Sequence, residues 1–541
     1  MQGLMQHWPL RMSKIIDHAA ANHGERQVVS RLVEGTLHRT TYREIHSRAR
    51  KAAKALQRLG VKRGDRVGTL AWNTHRHMEA WYGITGLSAI YHTINPRLYA
   101  EQIAYIVSHA EDGVLLLDLT FVPLMEALQD KLPTIEHFVL MTDRAHMPAT
   151  KLRNVSAYED LLAAEDDDFQ WADGDENEAA GLCYTSGTTG KPKGVLYSHR
   201  SNFLHALSGF DIREQDCVLA IVPMFHANAW CLALTAPMWG AKLVLPGAKL
   251  DGKSICELLE SENVTTSAAV PTVWLGLMQY LEAENKRPTA LKRVYIGGAA
   301  APAPMIDTLE QKYGLEVVHG WGMTEMSPLG AQCLVKPALS DLAWPEKLKL
   351  KTKQGRSIVT VEMKIVDEEG RDLPRDGTTQ GHLMVRGPAV AARYYKEDGD
   401  PLAEHDGWFP TGDVATIDPD GYMQITDRAK DVIKSGGEWI SSIEIENIAL
   451  GHPAVREAAV IGLPHPKWTE RPLLVIALKP GAKADKRDIL SFLKGKIATW
   501  WRPDDVVFVE EIPHTAVGKI QKAALRDQFK DHVWPRSRAA E

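Results

Sequence analysis

The chain has 541 residues, 44% of them hydrophobic and 24% charged, enough for several domains and too many for one simple core. A net charge of −6, with both signs interspersed, excludes a global basic field that would recruit nucleic acid. The five cysteines show no CxxC spacing, which excludes a disulfide or zinc framework and reads as free thiols in a reducing, cytoplasmic compartment.

From the N-terminus, "MQGLMQHWPLRMSKIIDHAA" has no uninterrupted apolar segment and does not read as a secretory signal. No run of about 18 apolar residues is present to span a membrane. "YREIHSRARKAAKALQRLG", Tyr42 to Gly60, carries apolar residues at helical spacing and stops at a glycine. "RVGTLAW", "GVLLLD" and "KLVLPG" read as short buried strands followed by turns. Their alternation with helices predicts parallel sheets covered by helices. The acidic stretch "EDDDFQWADGDENEAA", Glu165 to Ala180, reads as a solvated surface linker. "EKLKLKTKQGR" reads as a solvated face whose lysines could help an anionic ligand approach. From about Gly355 the texture turns to turn-punctuated β, as in "VEMKIVDEEGRDLP", "GHLMVRGP" and "VATIDPDGYMQITDR". A more αβ-like stretch then runs to the end, which places a hinge near Asp427 to Lys430 and divides the chain into 1–427 and 428–541.

One stretch is built for an anion. "YTSGTTGKPKGV", Tyr184 to Val195, concentrates glycines, hydroxyls and lysines. Backbone N–H groups, hydroxyls and Lys193 together suit phosphates. It is not a P-loop of the form G-x-x-x-x-G-K-[ST]. Counting from Gly187, the sixth position is Pro192, and Pro192 also occupies the place of the Mg²⁺-binding hydroxyl after Gly190-Lys191. A P-loop runs from strand to helix, whereas "AAGLCYTS" and "GVLYSHR" are both β-like. The expected element is a mobile loop between two strands.

This stretch resembles the phosphate-loop signature of the adenylate-forming superfamily. Further motifs follow in that family's order: "VPMFHANAW", "GGAAAP", "HGWGMTEMSP", "GWFPTGDVATIDPDGY", "DRAKDVIKSGGEWISSIEIE" and "PHTAVGKI". "PMFHANAW", "KSGGEWISS" and "HPKWTERPL" narrow the likeness to bacterial medium- and long-chain fatty acyl-CoA synthetases and methylmercaptopropionyl-CoA ligases. The resemblance implies an α/β fold: a large N-terminal domain of two α/β sheets plus a β-barrel-like part, and a small mobile α+β C-terminal domain. It implies that a carboxylate attacks the α-phosphate of ATP and expels pyrophosphate. CoA thiolate then takes the acyl group and AMP leaves. The partners implied are a small carboxylic acid, ATP, Mg²⁺ and CoA, without nucleic acid and with a homodimer admitted. Bringing a carboxylate against a polyanion calls for positive charge and alignment rather than a covalent nucleophile.

The residue roles come from the same resemblance. Thr185, Ser186, Gly187, Thr188, Thr189 and Lys193 would hold the β- and γ-phosphates. Glu325 with Thr185 would hold Mg²⁺, and Thr324 the α-phosphate. Asp413 would accept both ribose hydroxyls, a fit for two acceptor oxygens, with Arg428 beside it. Trp321 would face adenine, with Gly297, Gly298 and Ala299 closing on the other side. Lys519 would bridge the attacking carboxylate and the α-phosphate, and it lies in the small domain, so the domains must close. Lys430 matches the hinge, about which the small domain then turns. Lys434, Gly436, Gly437, Glu438 and Trp439 would form the thioester-forming face. His226, counted with the catalytic set, and Trp230 would stand at the mouth of the acyl pocket, lined also by Met323 and Pro328. Gly322 stands where acetate-specific relatives carry a tryptophan, so the pocket should admit longer acids. The Phe225-His226 pair lacks the aspartate that would pair an amino acid's ammonium, which argues against amino acids. A medium- or long-chain fatty acid is the leading substrate. A 3-(methylthio)propionate-type acid is the alternative, as is acyl transfer to a carrier protein. A luciferase-like oxygenase and a dead nucleotide-binding scaffold are weaker readings.

Overall fold

The helix expected from residue 42 spans Tyr42–Arg58 in the computed structural model. The structure describes residues 1, 3–185, 191–435, 438–465, 467–514 and 520–535, and only the backbone of 227, 228 and 438. Thr41 starts this helix with a reciprocal capping box. Its hydroxyl accepts the Glu44 N–H at 3.3 Å, and the Glu44 carboxylate accepts the Thr41 N–H at 2.8 Å. Two donors that the helix itself leaves unpaired are thereby satisfied. Ile45, Ala49, Ala52, Ala53 and Leu56 form its buried stripe.

The opposite face corrects in part the reading of residues 165–180 as a solvated linker: 166–168, 170, 173, 175 and 177 are exposed, but others are tied down. Glu165 pairs with Arg58 at 2.9 Å, and Asp167 accepts a bond from Ser47 at 2.7 Å. The Trp171 indole donates to Asp17 at 2.7 Å, and its ring fills the space beside Gly86, where a Cβ would come within 2.2 Å. Charge complementarity to a distant helix and one half-buried aromatic turn an acidic run into a strap. The lysine run is likewise only partly a solvated face. Lys351 is buried against Glu310 at 2.6 Å and donates to the Val317 carbonyl, and Lys353 pairs with Asp418 at 2.6 Å.

Two large sheets carry the first part of the chain. One has seven strands in the order Val155–Ala157, His137–Leu140, Asp112–Leu117, Arg66–Leu70, Ile90–Thr93, Ala179–Tyr184 and Gly194–Ser198. All neighbours are parallel except the last pair. The other has nine, with a parallel centre running Glu316–Gly322, Arg293–Ile296, Thr266–Ala269, Cys217–Ala220, Lys242–Leu245 and Gln27–Arg31. Parallel strands deliver their C-terminal ends to one edge, where α/β folds bind ligands. Thr185, Val222–Trp230, Gly297 and Gly322 all lie at such ends.

The turn-rich segment forms a four-stranded antiparallel sheet, Glu362–Val366, Gly381–Arg386, Phe409–Ile417 and Met423–Arg428. It stands where a barrel-like part is expected. After it comes a five-stranded sheet built on the long pair Val455–His465 and Thr469–Leu478, with helices Ser442–Leu450 and Lys486–Leu493 packed on it. Cys183, Cys217, Cys231, Cys256 and Cys333 are buried thiols that form no disulfide. Among the described residues, no helix is long and apolar enough to cross a membrane.

Asp118, at the end of Asp112–Leu117, is buried and accepts the Trp72 N–H at 2.6 Å. Burial pushes its carboxyl up to about 7, against about 3.9 in an unfolded chain. Between those values the folded protein keeps a proton that the unfolded chain has lost. Stability from this group therefore falls as pH rises through that window, and the loss is complete above about 7. Asp118→Asn keeps the acceptor and removes the charge. Its thermal midpoint is expected to gain on the wild type from pH 5 to pH 8, and a difference that stays constant with pH would refute the assignment.

Candidate functional site

The threonine- and glycine-rich stretch hangs between Ala179–Tyr184 and Gly194–Ser198, which pair antiparallel. The ladder continues one step further. Thr185 N–H donates to the Lys193 carbonyl at 2.9 Å, and Lys193 N–H donates to the Thr185 hydroxyl at 3.2 Å. The strand–loop–strand setting that argued against a P-loop is therefore present. Ser186, Gly187, Thr188 and Thr189 lie outside the described residues.

Thr324 and Glu325 lie in a buried turn, Thr324–Met326, beside this hairpin. The Tyr197 hydroxyl, from the second hairpin strand, donates to the Thr324 carbonyl at 2.7 Å. The Tyr394 hydroxyl donates to Glu325 Oε1 at 2.6 Å, and the Ala391 N–H donates to the Glu325 carbonyl at 2.7 Å. Burial first, and then the neighbouring Glu325 carboxylate, hold the Tyr394 phenol protonated far above its ordinary range, so it acts as the donor. Lys193 Nζ lies 4.6 Å over the Tyr394 ring and 2.8 Å from Glu397.

Asp413 is 2% exposed. It lies opposite Arg428 across neighbouring strands, and both its oxygens are engaged. Arg428 Nε approaches Oδ1 at 2.9 Å, and the Trp321 indole N–H donates to Oδ2 at 3.1 Å. Two donors fix the carboxylate plane, yet each oxygen keeps further acceptor capacity. The Trp321 ring packs in the core with Met326, Val361 and Met363 and is only 7% exposed. In this structure it is first a support for Asp413.

The expected acyl-pocket residues also gather. Ala229, Trp230 and Cys231 have φ of +50°, +49° and +63°, three consecutive non-glycine residues in a region that costs about 1–2 kcal/mol each. This turn throws the Trp230 ring against Gly297, where a Cβ would lie 3.1 Å from the ring and 3.0 Å from the Gly320 carbonyl. Gly298, at φ +77°, and Ala299 are exposed alongside. His226 is half-buried, its N–H turned back to the Pro223 carbonyl. Cys231 Sγ reaches the Ser327 carbonyl, next to Pro328, at 3.4 Å. Gly322 departs from expectation. Its Cβ would meet the Pro328 carbonyl at 2.1 Å, so glycine there lets two backbone segments pass. The Met323 N–H closes the same turn on that carbonyl at 2.9 Å. The missing side chain relieves a backbone clash, a reason for glycine here that is independent of the acid.

In the last sheet, Ile433–Ser435 pairs antiparallel with Glu438–Ile440; Gly436, Gly437 and the Glu438 side chain lie outside the described residues. Lys434 Nζ meets Glu368 at 3.1 Å and the Trp439 ring at 5.5 Å, and Trp439 meets His382 edge-on at 5.6 Å. These two side chains thus face the four-stranded sheet. Burial lowers the pKa of Lys430. Lys519 lies outside the described residues.

Sequence reasoning missed Tyr197, Tyr394 and Glu397. Each reaches the site through a contact distant in sequence, and "YYKE" carries no spacing that would announce it.

The sequence profile of the AMP-binding enzyme family matches residues 16–395, and that of the AMP-binding enzyme C-terminal domain matches residues 444–519. A 3-methylmercaptopropionyl-CoA ligase of Ruegeria lacuscaerulensis is 49% identical over 98% of this chain and 99% of its own. A medium-chain-fatty-acid–CoA ligase of Ectopseudomonas oleovorans is 47% identical over 98% of both chains. A solved anthranilate CoA ligase in complex with anthranoyl-AMP superposes with a TM-score of 0.86 at 26% identity, covering 96% of this chain and 98% of its own.

Proposed function

The chain belongs to the AMP-binding enzyme family, and from that membership we propose that it ligates a medium-chain carboxylic acid to CoA through an acyl-adenylate, releasing pyrophosphate and AMP. The observation that carries this reading is the convergence of Thr185 and Lys193, Glu325, and Asp413 with Arg428, joined through Tyr394 and Trp321. One end of that array suits a triphosphate and the other a ribose.

Asp413 takes the ribose hydroxyls on its two carboxylate oxygens, with Arg428 alongside. Lys193 and the loop it borders hold the leaving pyrophosphate, while Thr324 and Lys519 bracket the α-phosphate. The donor set suits Mg²⁺, since it offers a carboxylate and a hydroxyl, both hard oxygens. Among the described residues no group of three or more His, Cys, Asp or Glu could hold a metal alone. Mg²⁺, when bound with the nucleotide, neutralises phosphate charge; Glu325 and Thr185 are the protein's contribution to holding it.

The chain divides functionally at residues 427 and 428, with Lys430 as the pivot. Residues 428–541 bring Lys519 to the nucleotide for adenylation and then turn the hairpin 433–440 toward the adenylate for attack by CoA. CoA is preferred to a carrier protein as acceptor because both relatives above are named as CoA ligases. Those relatives are named for a medium-chain fatty acid and for 3-methylmercaptopropionate, the latter a five-atom chain at the short edge of that range. An apolar pocket separates acids differing by one methylene by only about 1–3 kcal/mol, so both classes are expected to react.

The test is release of pyrophosphate and AMP with straight-chain acids from C2 to C16 and methylthio acids, with and without CoA. Activity is expected to peak at medium length and to give a thioester only with CoA. Pyrophosphate release without any thioester would sink the CoA assignment, and a peak at acetate would sink the medium-chain one.

A further inference from the structure

The segment after the strand Gly381–Arg386 crosses the site without belonging to any of its recognised motifs. It is anchored at three points. The Ala391 N–H holds the Glu325 carbonyl at 2.7 Å, the Tyr395 N–H holds the Gly194 carbonyl at 2.8 Å, and Lys396 pairs with Glu111 at 2.7 Å and donates to the His109 carbonyl at 3.0 Å. Between these anchors Tyr394 faces two functional groups at once. Its hydroxyl donates to Glu325 Oε1 at 2.6 Å, and its ring face lies 4.6 Å from Lys193 Nζ. Glu397, three residues on, holds the same ammonium at 2.8 Å.

Each contact has a different strength. The Tyr394–Glu325 bond is part-buried, short and charge-assisted, the kind that fixes an acceptor in one orientation. The Lys193–Glu397 pair is half-exposed, with side chains 47% and 39% accessible, and exposed pairs are weak. A triphosphate offers the same ammonium several anionic oxygens. Replacing one carboxylate with that ligand requires only a small swing of the lysine over the aromatic face, which stays favourable to the cation throughout.

We infer that Tyr394 is a positioning residue of the adenylation step, aiming the Glu325 carboxylate with its hydroxyl while its ring face and Glu397 keep Lys193 in reserve for an incoming triphosphate. The inference rests on the functional reading above, and it adds a link between the phosphate-loop lysine and the carboxylate assigned to the metal.

Three variants of the full chain separate the parts. Tyr394→Phe keeps the ring and loses the bond to Glu325. It is expected to raise the Mg²⁺ concentration for half-maximal pyrophosphate release about tenfold, the scale of one charge-assisted bond, while thioester formation from supplied acyl-AMP stays within about twofold. Glu397→Gln removes the competing charge and should tighten metal-free ATP binding, measured by calorimetry, about threefold, the scale of a surface pair. Tyr394→Leu removes ring and hydroxyl together and should weaken metal-free ATP binding, which Tyr394→Phe should leave unchanged. An unaltered Mg²⁺ requirement in Tyr394→Phe, or an equal loss in both half-reactions, would overturn the positioning role. Metal-free ATP binding unchanged or weaker in Glu397→Gln would overturn the reserve role. If the wild type binds ATP yet adenylates no acid, the functional reading fails, while the calorimetric arms still decide the place of Lys193.

Discussion

Lys519→Ala is expected to lose a hundredfold or more of its acid-dependent pyrophosphate release while forming thioester from supplied acyl-AMP within about twofold of the wild type. The magnitude follows from the charge problem of the first step. A carboxylate approaches a polyanion, and a single well-placed donor to developing charge contributes about 10²–10³ in kcat. Glu325 and Asp413 are themselves acidic, and the proposal assigns Lys193 to the outer phosphates and Arg428 to the ribose. In the proposed reaction a further cation serves the α-phosphate, and the family resemblance assigns that part to the lysine of "TAVGK". On that reading the lysine has no further task once the adenylate exists, and a different face of the same domain is expected to meet the thiol. Lys519→Arg tests position separately from charge: its longer, planar head should recover only a small part of the rate. The result that defeats this picture is equal loss in both half-reactions, which would place Lys519 at the site throughout the cycle.

Local pattern made much of this molecule legible. The helix at Tyr42–Arg58 announced itself through period and cap, and the flanking strands of the phosphate hairpin were evident from composition alone. The rejection of a P-loop rested on a single proline, Pro192, and on those strands. What local pattern could not reveal was anything set by distant partners. The acidic run 165–180 has the composition of a solvated linker, and only the basic face of a helix more than a hundred residues earlier makes it a strap. Lys351 looks like its neighbours in a lysine-rich helix, yet Glu310 and a carbonyl draw it inside. Gly322 invited a substrate argument from the family resemblance, and only the fold shows that the Pro328 carbonyl also requires a glycine there. Tyr394 reaches Glu325 across 69 residues of sequence. Motifs pointed to the groups proposed to touch substrate, and tertiary structure alone showed the groups that hold them.

Asp413→Ala should raise the KM for ATP about a hundredfold, with a smaller fall in kcat. Two hydrogen bonds to a charged acceptor are worth about 1.5–3 kcal/mol each, and most of that is anchoring felt equally in ground and transition states. The surrounding geometry also predicts that asparagine will be nearly as damaging as alanine. Arg428 and Trp321 both point donors at the carboxylate. An amide has one acceptor oxygen and turns its own N–H₂ toward one of those donors. Arg428 is 42% exposed and finds water, but the Trp321 N–H does not, so a modest fall in thermal midpoint accompanies either variant. Stability and ribose recognition are separated by the nucleotide. The wild type should lose about tenfold on 2′-deoxy-ATP, because one ribose hydroxyl is gone. Asp413→Ala should treat ATP and 2′-deoxy-ATP alike, since the group that distinguishes them has been removed, and the coupling energy of this cycle isolates the contact. If Asp413→Ala kept the wild-type preference for ATP, the ribose would be held elsewhere, and Asp413 would serve only to fix Trp321 and Arg428.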